Sequence, residues 1–385
     1  MDQVRIGIIG LGSMGSGHVR HINSLNNCRL TAVCDLNPDK LQNGNLKEDV
    51  KKFTDNDEFF AYDGYDAVVI AVPHYQHVEL AIRAMEEGKH VLVEKPVSVQ
   101  KKTALQLLDA VKKHPELKVA AMFNQRTLPA HIKIKKLLES GELGKIRRIS
   151  WTITNWFRTQ AYYDSGDWRA TWGGEGGGVL LNQCPHQLDL MQWFFGMPER
   201  VTSIASIGKY HDIEVEDEVT AILEYPEGYT GVFITTTGEC PGSNRLEIAC
   251  DRGRLILEND KLSYIRCETL VSDYIKEAKV AFGSPEQWKV ELPVGEPAMW
   301  QHTAVIHAFA EAILHGTPLV AEAVEGINGL ELGNAMLLSG LKHKTVTLPI
   351  DVDEFDELLS GLVATSKWGK KEVKKAALGD FSKSF

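Results

Sequence analysis

The sequence predicts an α/β protein in two parts: an N-terminal domain built on a parallel β-sheet, and a C-terminal α+β domain with an open, largely antiparallel sheet. Three observations support this prediction. The chain has 385 residues, which is too many for one ordinary hydrophobic core. Apolar runs alternate with helical patterns from Val4 to Phe123, as in parallel sheets. Beyond residue 145, short apolar runs follow one another with turns between them, as in antiparallel sheets.

The composition is that of a folded protein that handles a small ligand. Hydrophobic residues make up 43% of the chain and charged residues 24%, which is typical of globular proteins. The formal net charge of −10 provides no positive surface for nucleic acid or anionic lipid, so neither is an expected partner. The six cysteines form no Cys-x-x-Cys pair and are expected to be reduced thiols in a cytoplasmic protein. The first apolar run, Val4 to Ile9, is too short for a signal-peptide core.

The first apolar run ends in a glycine-rich turn. Val4 to Ile9 predicts a buried strand, and Gly17 to Leu25 predicts a helix. In this setting the glycines between them are the fingerprint of a Rossmann domain: the first permits a tight turn, the second lets a pyrophosphate approach the backbone, and the third lets helix pack on strand. We therefore expect a dinucleotide to be bound by the turn residues Gly10, Gly12, Ser13, Met14 and Gly15.

An acidic residue after the next strand indicates which dinucleotide. The run Leu30 to Cys34 ends in Asp35, twenty positions after Gly15, where a carboxylate can bind the ribose hydroxyls. Such a carboxylate repels a 2′-phosphate, and the next two residues, Leu36 and Asn37, bring no positive charge. The expected cofactor is therefore NAD rather than NADP. The alternative is a glycine turn in a βαβ unit that binds no cofactor.

The alternation of strands and helices continues through the rest of the first domain. Strands are predicted over Asp66 to Val72, over the residues before Lys95 and over Val119 to Phe123. Ligands bind at the carboxyl ends of parallel strands. The residues expected to contact the cofactor there, besides the glycine turn and Asp35, are Val72, Pro73, His74, His77, Glu94, Lys95 and Asn124.

Lys95 is the residue at this edge that most directly suggests chemistry. It follows the run Val91-Leu92-Val93-Glu94 and precedes Pro96, and a proline biases the residue before it toward extended geometry. The backbone is therefore expected to aim the lysine. The simpler alternative is a surface Glu-Lys pair that ends a strand.

Four motifs, taken in order, carry a family resemblance. They are the glycine fingerprint at 10–15, Pro73-x-x-x-His77, Gly88-Lys89-His90-Val91 leading into Glu94-Lys95-Pro96, and the segment from Gly176 to Asp189 with Asn182 and His186 inside it. In these features the chain resembles the glucose-fructose oxidoreductase, inositol dehydrogenase and rhizopine-catabolism (Gfo/Idh/MocA) family of NAD(P)-dependent sugar and cyclitol dehydrogenases, over nearly its whole length. The resemblance implies that Lys95 and His186 are catalytic residues.

One position departs from the pattern of that family. Many members carry an aspartate four residues before the catalytic histidine, where this chain has Asn182. An amide can form hydrogen bonds, but it holds no negative charge and takes no proton. The chemistry is therefore expected to rest more heavily on Lys95 and His186. Asp189 is expected either to orient the His186 imidazole or to neutralise the first turn of its helix.

His186 is predicted to lie in the first turn of a helix. Pro185 is a favourable first helical residue, and the apolar residues from Leu188 to Phe195 give the helix a buried side. The helix dipole and a nearby Lys95 favour a neutral imidazole, which can take a proton from a hydroxyl group. Lys95 would bind the same oxygen and stabilise the charge that develops on it.

An aromatic segment indicates the class of substrate. Residues 151–172 contain Trp151, Trp156, Trp168 and Trp172, four of the eight tryptophans. Aromatic faces beside charged donors suit the ring of a sugar or cyclitol. Trp151 and Trp156 are expected in the core. The residues expected to contact the substrate are Tyr163, Trp168 and Arg169 from a predicted loop, with Lys95, Asn182 and His186.

The rest of the second domain is predicted to be scaffold. Strands are expected over 146–153, 201–207, 219–225, 231–237, 246–250 and 254–257, and helices over 300–314 and 322–341 that pack near the first domain. In relatives the open face of such a sheet packs against another subunit, so a homodimer or homotetramer is expected. The expected limits are 1–125 and 126–345 for the two domains and 346–385 for a C-terminal helical tail, which includes a lysine-rich stretch at 367–375.

Three functions remain open at this point. The first is NAD-dependent oxidation of a secondary alcohol on a sugar, glycoside or cyclitol. The second is redox-assisted cleavage of a glycoside with bound NAD, for which the same residues would serve. The third is a non-catalytic NAD-binding sensor, against which the presence of both Lys95 and His186 argues. No metal site is predicted.

Overall fold

The computed structural model describes residues 2–42, 45–370 and 373–374. A first sheet of six parallel strands contains β1 (Val4–Ile9), β2 (Cys28–Cys34), β3 (Lys51–Phe53), β4 (Ala67–Ile70), β5 (His90–Val93) and β6 (Val119–Ala121). Their order across the sheet is β3-β2-β1-β4-β5-β6. The order reverses direction after β1, so the carboxyl ends of β1, β4 and β5 border a crevice suited to a ligand.

Helices cover both faces of this sheet. They are α1 (Ser13–Asn23), α2 (Asn56–Ala61), α3 (His77–Glu86) and α4 (Lys101–Lys113). The next helix, α5 (Pro129–Glu139), packs against the turn after β6 and against helix Pro185–Phe195 of the second domain. On one face, residues of α2, α3 and α4 pack with Val68 and Ile70. On the other, Val19 and Ile22 of α1 pack with Ile8. Because both faces are buried there, strands β4, β5 and β6 are almost entirely apolar, whereas the edge strand β3 carries two exposed lysines.

Helix α1 begins four residues earlier than the predicted start at Gly17. Gly12 precedes it with extended backbone, φ −64° and ψ −165°. A Cβ on Gly15 would lie 1.8 Å from the Gly10 carbonyl oxygen. The third glycine of the fingerprint therefore lies inside the first helical turn, where only a hydrogen atom fits against the turn before it.

The second sheet has nine strands and is mostly antiparallel, which confirms the predicted class. The strands are β7 (Ile146–Ile153), β8 (Arg200–Ile207), β9 (Glu216–Glu224), β10 (Thr230–Thr236), β11 (Asn244–Cys250), β12 (Gly253–Glu258), β13 (Lys261–Cys267), β14 (Gln287–Glu291) and β15 (Val346–Thr347). Their order is β14-β13-β12-β11-β7-β10-β9-β8-β15, with β7 and β10 parallel. The last three in sequence, β13 to β15, were not predicted.

The remaining helices are α6 (Gln160–Asp164), α7 (Pro185–Phe195), α8 (Val271–Glu277), α9 (Gln301–His315), α10 (Gly326–Lys342) and α11 (Val352–Ala364). Helix α9 packs against α1, and its Val305, Ile306 and Phe309 complete the core beneath Ile8. Helix α10 packs on β8, α7 and α4. The prediction that these two helices pack near the first domain is therefore confirmed.

The C-terminal part of the described chain joins both domains. Strand β15 pairs with β8, and α11 packs against α4 and α10. Of the lysine-rich stretch at 367–375, residues 368–370 form a turn, and residues 371, 372 and 375 lie outside the described residues. No helix in the described part of the chain is long and apolar enough to cross a membrane.

Candidate active site

The glycine turn forms one side of the candidate site. Gly10 has φ +91°, and a Cβ there would lie 2.4 Å from the Ala71 carbonyl oxygen. By contrast, apart from Gly12 and its two chain neighbours, no heavy atom of the described residues lies within 4 Å of a Cβ built on Gly12. Ser13 is exposed and Met14 half-buried at the start of α1. The turn is thus closed toward β4 and open beside a helix N-terminus, an arrangement that fits the pyrophosphate of a dinucleotide.

Asp35 lies at the end of β2 next to this turn. Its carboxylate accepts hydrogen bonds from the backbone N–H groups of Leu11 at 2.7 Å and Asn37 at 2.9 Å. Lys40 Nζ lies 3.4 Å from the same carboxylate, brought there by the turn Pro38–Gln42. Leu36 and Asn37 bring no positive charge, as the sequence indicated, but Lys40, five positions after Asp35, does.

Two histidines shape the edge at the end of β4. His77 Nδ1 lies 2.7 Å from the Pro96 carbonyl oxygen, and its Nε2 lies 2.8 Å from the Val72 carbonyl oxygen. His74 Nδ1 lies 3.1 Å from the Glu175 carbonyl oxygen, in the second domain. Burial lowers the pKa of both, that of His74 to about 3. His77 therefore holds two loops together, while Val72 and the exposed Pro73 form the accessible edge.

Glu94 forms a buried contact with His18, which was not predicted from the sequence. Its carboxylate lies 2.7 Å from Nε2 of the fully buried His18, and it also accepts a hydrogen bond from the Lys95 backbone N–H at 3.1 Å. Burial opposes ionisation, but the hydrogen bond and charge of His18 lower the pKa of Glu94 to about 2. Glu94 therefore remains charged beneath Lys95. The sequence feature that could have indicated this contact is the position of His18 on the buried face of α1, three residues after Gly15.

Lys95 reaches from the end of β5 into the second domain. Its Nζ donates a hydrogen bond of 2.8 Å to the Asn182 carbonyl oxygen. Burial lowers the pKa of Lys95, while the charges of Glu94 and Glu175 raise it. The side chain is half-buried. The expected aimed lysine is thus observed, and the alternative of a surface Glu-Lys pair is wrong because Glu94 pairs with His18.

His186 approaches the same place from the first turn of α7. It is 7% exposed, and its ring meets Phe123, at the end of β6, edge to face at 6.2 Å. Burial and then the charge of Lys95 hold the pKa of His186 well below its ordinary value. Its Nδ1 is buried without a hydrogen-bond partner among the described residues. The neutral imidazole expected from the sequence is therefore the form that this environment favours.

Asp189 does not orient His186. Its two carboxylate oxygens accept hydrogen bonds from Arg126 Nε at 2.8 Å and Nη2 at 2.7 Å. Arg126 also pairs with Glu325. Arg126, which lies in the turn after β6 and was not singled out in the sequence, therefore ties that turn to α7. The expectation that Asp189 orients the imidazole is wrong because the guanidinium occupies both oxygens.

The predicted substrate residues fall into two groups. Tyr163 is 3% exposed, lies in α6 and not in a loop, and its hydroxyl bonds Thr237 at 2.8 Å. Its neighbour Tyr162 instead places its hydroxyl 3.0 Å from Arg169 Nη1 and 3.3 Å from Asn182 Nδ2. The Arg169 guanidinium also lies over the Trp168 ring at 4.5 Å. We therefore replace Tyr163 by Tyr162 as the candidate tyrosine for substrate contact.

Trp151 and Trp156 are buried, as expected.

Asn182 lies in a π-helical turn, Val179–Gln183, immediately before α7. Such turns are rare and occur frequently at functional sites. The Asn182 side-chain amide donates a hydrogen bond to the carboxylate of Glu175. Glu175 was not predicted, although its place directly before the Gly176-Gly177-Gly178 run was a signal that it lies near the site.

The structure thus brings most predicted residues to one cleft between the domains. Lys95 contacts Asn182, Asn182 contacts the Tyr162 hydroxyl beside Arg169, and the Lys95 charge acts on His186. The glycine turn and Asp35 follow β1 and β2 of the same sheet that carries Lys95. Asn124 is buried, and its amide donates to Gln301 of α9 at 2.7 Å. Within the described residues no group of three or more histidine, cysteine, aspartate or glutamate side chains is arranged to hold a metal ion.

The comparisons with known proteins agree with this architecture. Residues 4–122 match the oxidoreductase family with an NAD-binding Rossmann fold, and residues 131–256 match the GFO/IDH/MocA C-terminal domain. Fold and site therefore define a two-domain, NAD-binding protein. The chain belongs to the Gfo/Idh/MocA oxidoreductase family.

Individual relatives are more distant. The chain is 33% identical over 201 residues to Oxidoreductase P35 of Formosa agariphila, a match that covers 50% of this chain and 62% of that protein, less than two thirds of its length. It is 26% identical over 265 residues to the myo-inositol 2-dehydrogenase of Thermotoga maritima, covering 66% and 75%. It is 25% identical over 354 residues to the scyllo-inositol 2-dehydrogenase (NAD(+)) of Bacillus subtilis, covering 86% and 93%.

Solved structures show the same fold. The WlbA dehydrogenase of Bordetella pertussis in complex with NADH and UDP-GlcNAcA has a TM-score of 0.77 at 23% identity, covering 91% of this chain and 100% of that one. Levoglucosan dehydrogenase in complex with NADH and levoglucosan has a TM-score of 0.75 at 22% identity, covering 90% and 100%.

Proposed function

We propose that this protein is an NAD-dependent oxidoreductase that transfers a hydride between a secondary alcohol of a sugar, glycoside or cyclitol and the nicotinamide. The observation that carries the proposal is the hydrogen bond from Lys95 Nζ to the Asn182 carbonyl oxygen, because it joins the lysine of the first domain to the segment that leads into His186. The inositol and levoglucosan dehydrogenases among the similar proteins support the substrate class.

The proton-transfer group in this proposal is His186. Its pKa lies well below the ordinary value because of burial and the Lys95 charge, so the imidazole is neutral at neutral pH and can accept the hydroxyl proton. In the reverse direction, the imidazolium formed would return that proton to the carbonyl oxygen.

Lys95 holds the substrate oxygen in this proposal. An ammonium group has three N–H donors, and the bond to Asn182 uses one of them. A second donor directed at the substrate oxygen would stabilise the negative charge that develops there as the proton leaves. When bound, NAD supplies the nicotinamide carbon that accepts the hydride.

The substrate ring would pack near the cluster formed by Tyr162, Trp168 and Arg169. The Arg169 guanidinium lies 4.7 Å from the Tyr162 ring and 4.5 Å from the Trp168 ring. An aromatic face beside hydrogen-bond donors matches a ring with apolar C–H faces and hydroxyl edges.

The test is a panel of sugars, glycosides and inositols offered with NAD to the purified protein, with NADH absorbance as the readout. We expect stoichiometric NADH with at least one polyol. Aglycone release without NADH would replace the proposal by glycoside cleavage. Binding of NAD without turnover of any panel member would replace it by a sensor role.

A further inference from the structure

A buried carboxylate that the proposed reaction does not use lies against its central residues. Glu175 is 1% exposed. One of its carboxylate oxygens accepts the hydrogen bond from the Asn182 amide, and the other accepts from the Ala170 backbone N–H at 2.6 Å. Its charge interacts with those of Lys95 and Arg169. Glu175 therefore contacts Asn182 and acts electrostatically on Lys95 and Arg169, three of the residues that the proposed function places around the substrate.

The backbone beside Arg169 shows a second effect of this carboxylate. Ala170 has φ +52°, in the left-handed region that residues other than glycine rarely adopt. Such a conformation persists only where surrounding contacts hold it, and the hydrogen bond from Ala170 N–H to Glu175 is such a contact. Glu175 thereby fixes the chain direction immediately after Arg169.

We propose that Glu175 is a positioning residue whose carboxylate orients Asn182 and Arg169 and supplies the negative charge that Lys95 faces. This inference rests on the proposed function, in which Lys95 binds the substrate oxygen. Position 182 carries an amide, so the charge comes from a side chain seven residues upstream that is hydrogen-bonded to that amide.

The electrostatics of the cleft agree with this role. Burial raises the pKa of Glu175 to about 7, although Arg169, the Ala170 N–H, Asn182 and Lys95 all favour its charged form. A protonated Glu175 no longer opposes the effect of burial on Lys95. Burial and the Glu175 charge both raise the pKa of Tyr163 and of Glu216, and His74 contacts the Glu175 backbone carbonyl oxygen.

The first experiment removes the charge and keeps the shape. The full-length Glu175→Gln variant is compared with wild type by the NMR titration of reductively ¹³C-methylated lysines, with the Lys95 signal assigned by its loss in Lys95→Arg. We expect the Lys95 pKa to fall by about one unit, the size of a nearby-charge effect. This readout needs no turnover, so it remains decisive if the proposed oxidation is wrong.

Kinetics with a polyol substrate give a second readout. Because ionised Glu175 supports Lys95, wild-type kcat should fall as the pH drops through about 7, the pKa of Glu175. In Glu175→Gln we expect kcat about tenfold lower, with this acid-side decline absent. The decline that remains belongs to His186 and lies at lower pH, because its pKa is depressed.

A double variant that moves the negative charge from position 175 to position 182 distinguishes a positioning role of Glu175 from a purely structural one. Asn182→Asp places two carboxylates in contact and should lose activity, since both cannot ionise there. In the double variant Glu175→Gln with Asn182→Asp, the amide and the carboxylate exchange places, so we expect kcat and the Lys95 pKa to return to within about threefold and about half a unit of wild type.

The matched control is Glu216→Gln. Glu216 is equally buried with a pKa raised to about 7, but its carboxylate binds the backbone N–H groups of Gly178 and Leu180. This variant should leave the Lys95 pKa in place. An unchanged Lys95 pKa in Glu175→Gln, an equal shift in Glu216→Gln, or a double variant as impaired as the singles would each overturn the inference.

Discussion

Lys95 Nζ lies 2.8 Å from the backbone carbonyl oxygen of Asn182 and is held there from across the domain boundary. Because the acceptor belongs to the backbone, the contact does not depend on the side chain at position 182. This carbonyl belongs to the π-helical turn Val179–Gln183 that leads into α7. A chain with an amide at this position therefore keeps its lysine directed into the cleft.

The tyrosine pair in α6 gives a direct test of the substrate position. Tyr162→Phe removes the hydroxyl that faces Arg169 and Asn182, and we expect KM for the polyol to rise about tenfold, the value of one such hydrogen bond. Tyr163→Phe removes the hydroxyl that bonds Thr237, away from Arg169 and Asn182. It should leave KM unchanged and lower the free energy of unfolding by about 1 kcal/mol. The reverse pattern in steady-state kinetics would restore Tyr163 as the substrate residue.

The fold could be predicted well because its signals are local. Glycine spacing, the apolar run before Lys95 and the strand pattern around β7 each depend on a few neighbouring residues. Strand β14 was missed because its residues are mostly exposed and carry no apolar alternation.

The site could be predicted only in part, because several of its contacts join distant segments. His18 meets Glu94 from 76 positions away, and Arg126 meets Asp189 from 63 positions away. Neither pair has a spacing pattern in the sequence. From the sequence, Asp189 was expected either to orient His186 or to neutralise the first turn of α7, whereas in the folded chain its carboxylate binds the Arg126 guanidinium.

Cofactor choice depends on the pair formed by Asp35 and Lys40. Asp35→Ser removes the charge that repels a 2′-phosphate and leaves Lys40 free to attract one, so the ratio of kcat/KM for NADP to that for NAD should rise at least about tenfold. The double variant with Lys40→Ala should lose much of this gain. An unchanged ratio of kcat/KM for NADP to that for NAD in Asp35→Ser would show that Asp35 does not determine the choice of cofactor.

The buried pair of Arg126 and Asp189 should dominate the stability of the domain junction. Asp189→Asn leaves a buried guanidinium with its charge poorly compensated, and we expect a loss of about 3–5 kcal/mol in the free energy of unfolding by urea. Glu325→Gln alters the more exposed partner of the same arginine and should cost about 1 kcal/mol or less. Equal losses in the free energy of unfolding of Asp189→Asn and Glu325→Gln would contradict the prediction that Asp189 is the more important partner of Arg126.

The central claim is that Lys95 and His186 act together on one substrate oxygen, and the most direct measurement is NADH formation by Lys95→Ala and His186→Ala with a polyol that wild type oxidises. We predict that each loses at least about 100-fold in kcat, while NAD binding, followed by titration, survives because neither side chain holds the pyrophosphate. The controls are Lys89→Ala, at the opposite end of β5, and His114→Ala, at the end of α4. Near wild-type kcat in either Lys95→Ala or His186→Ala would contradict the claim.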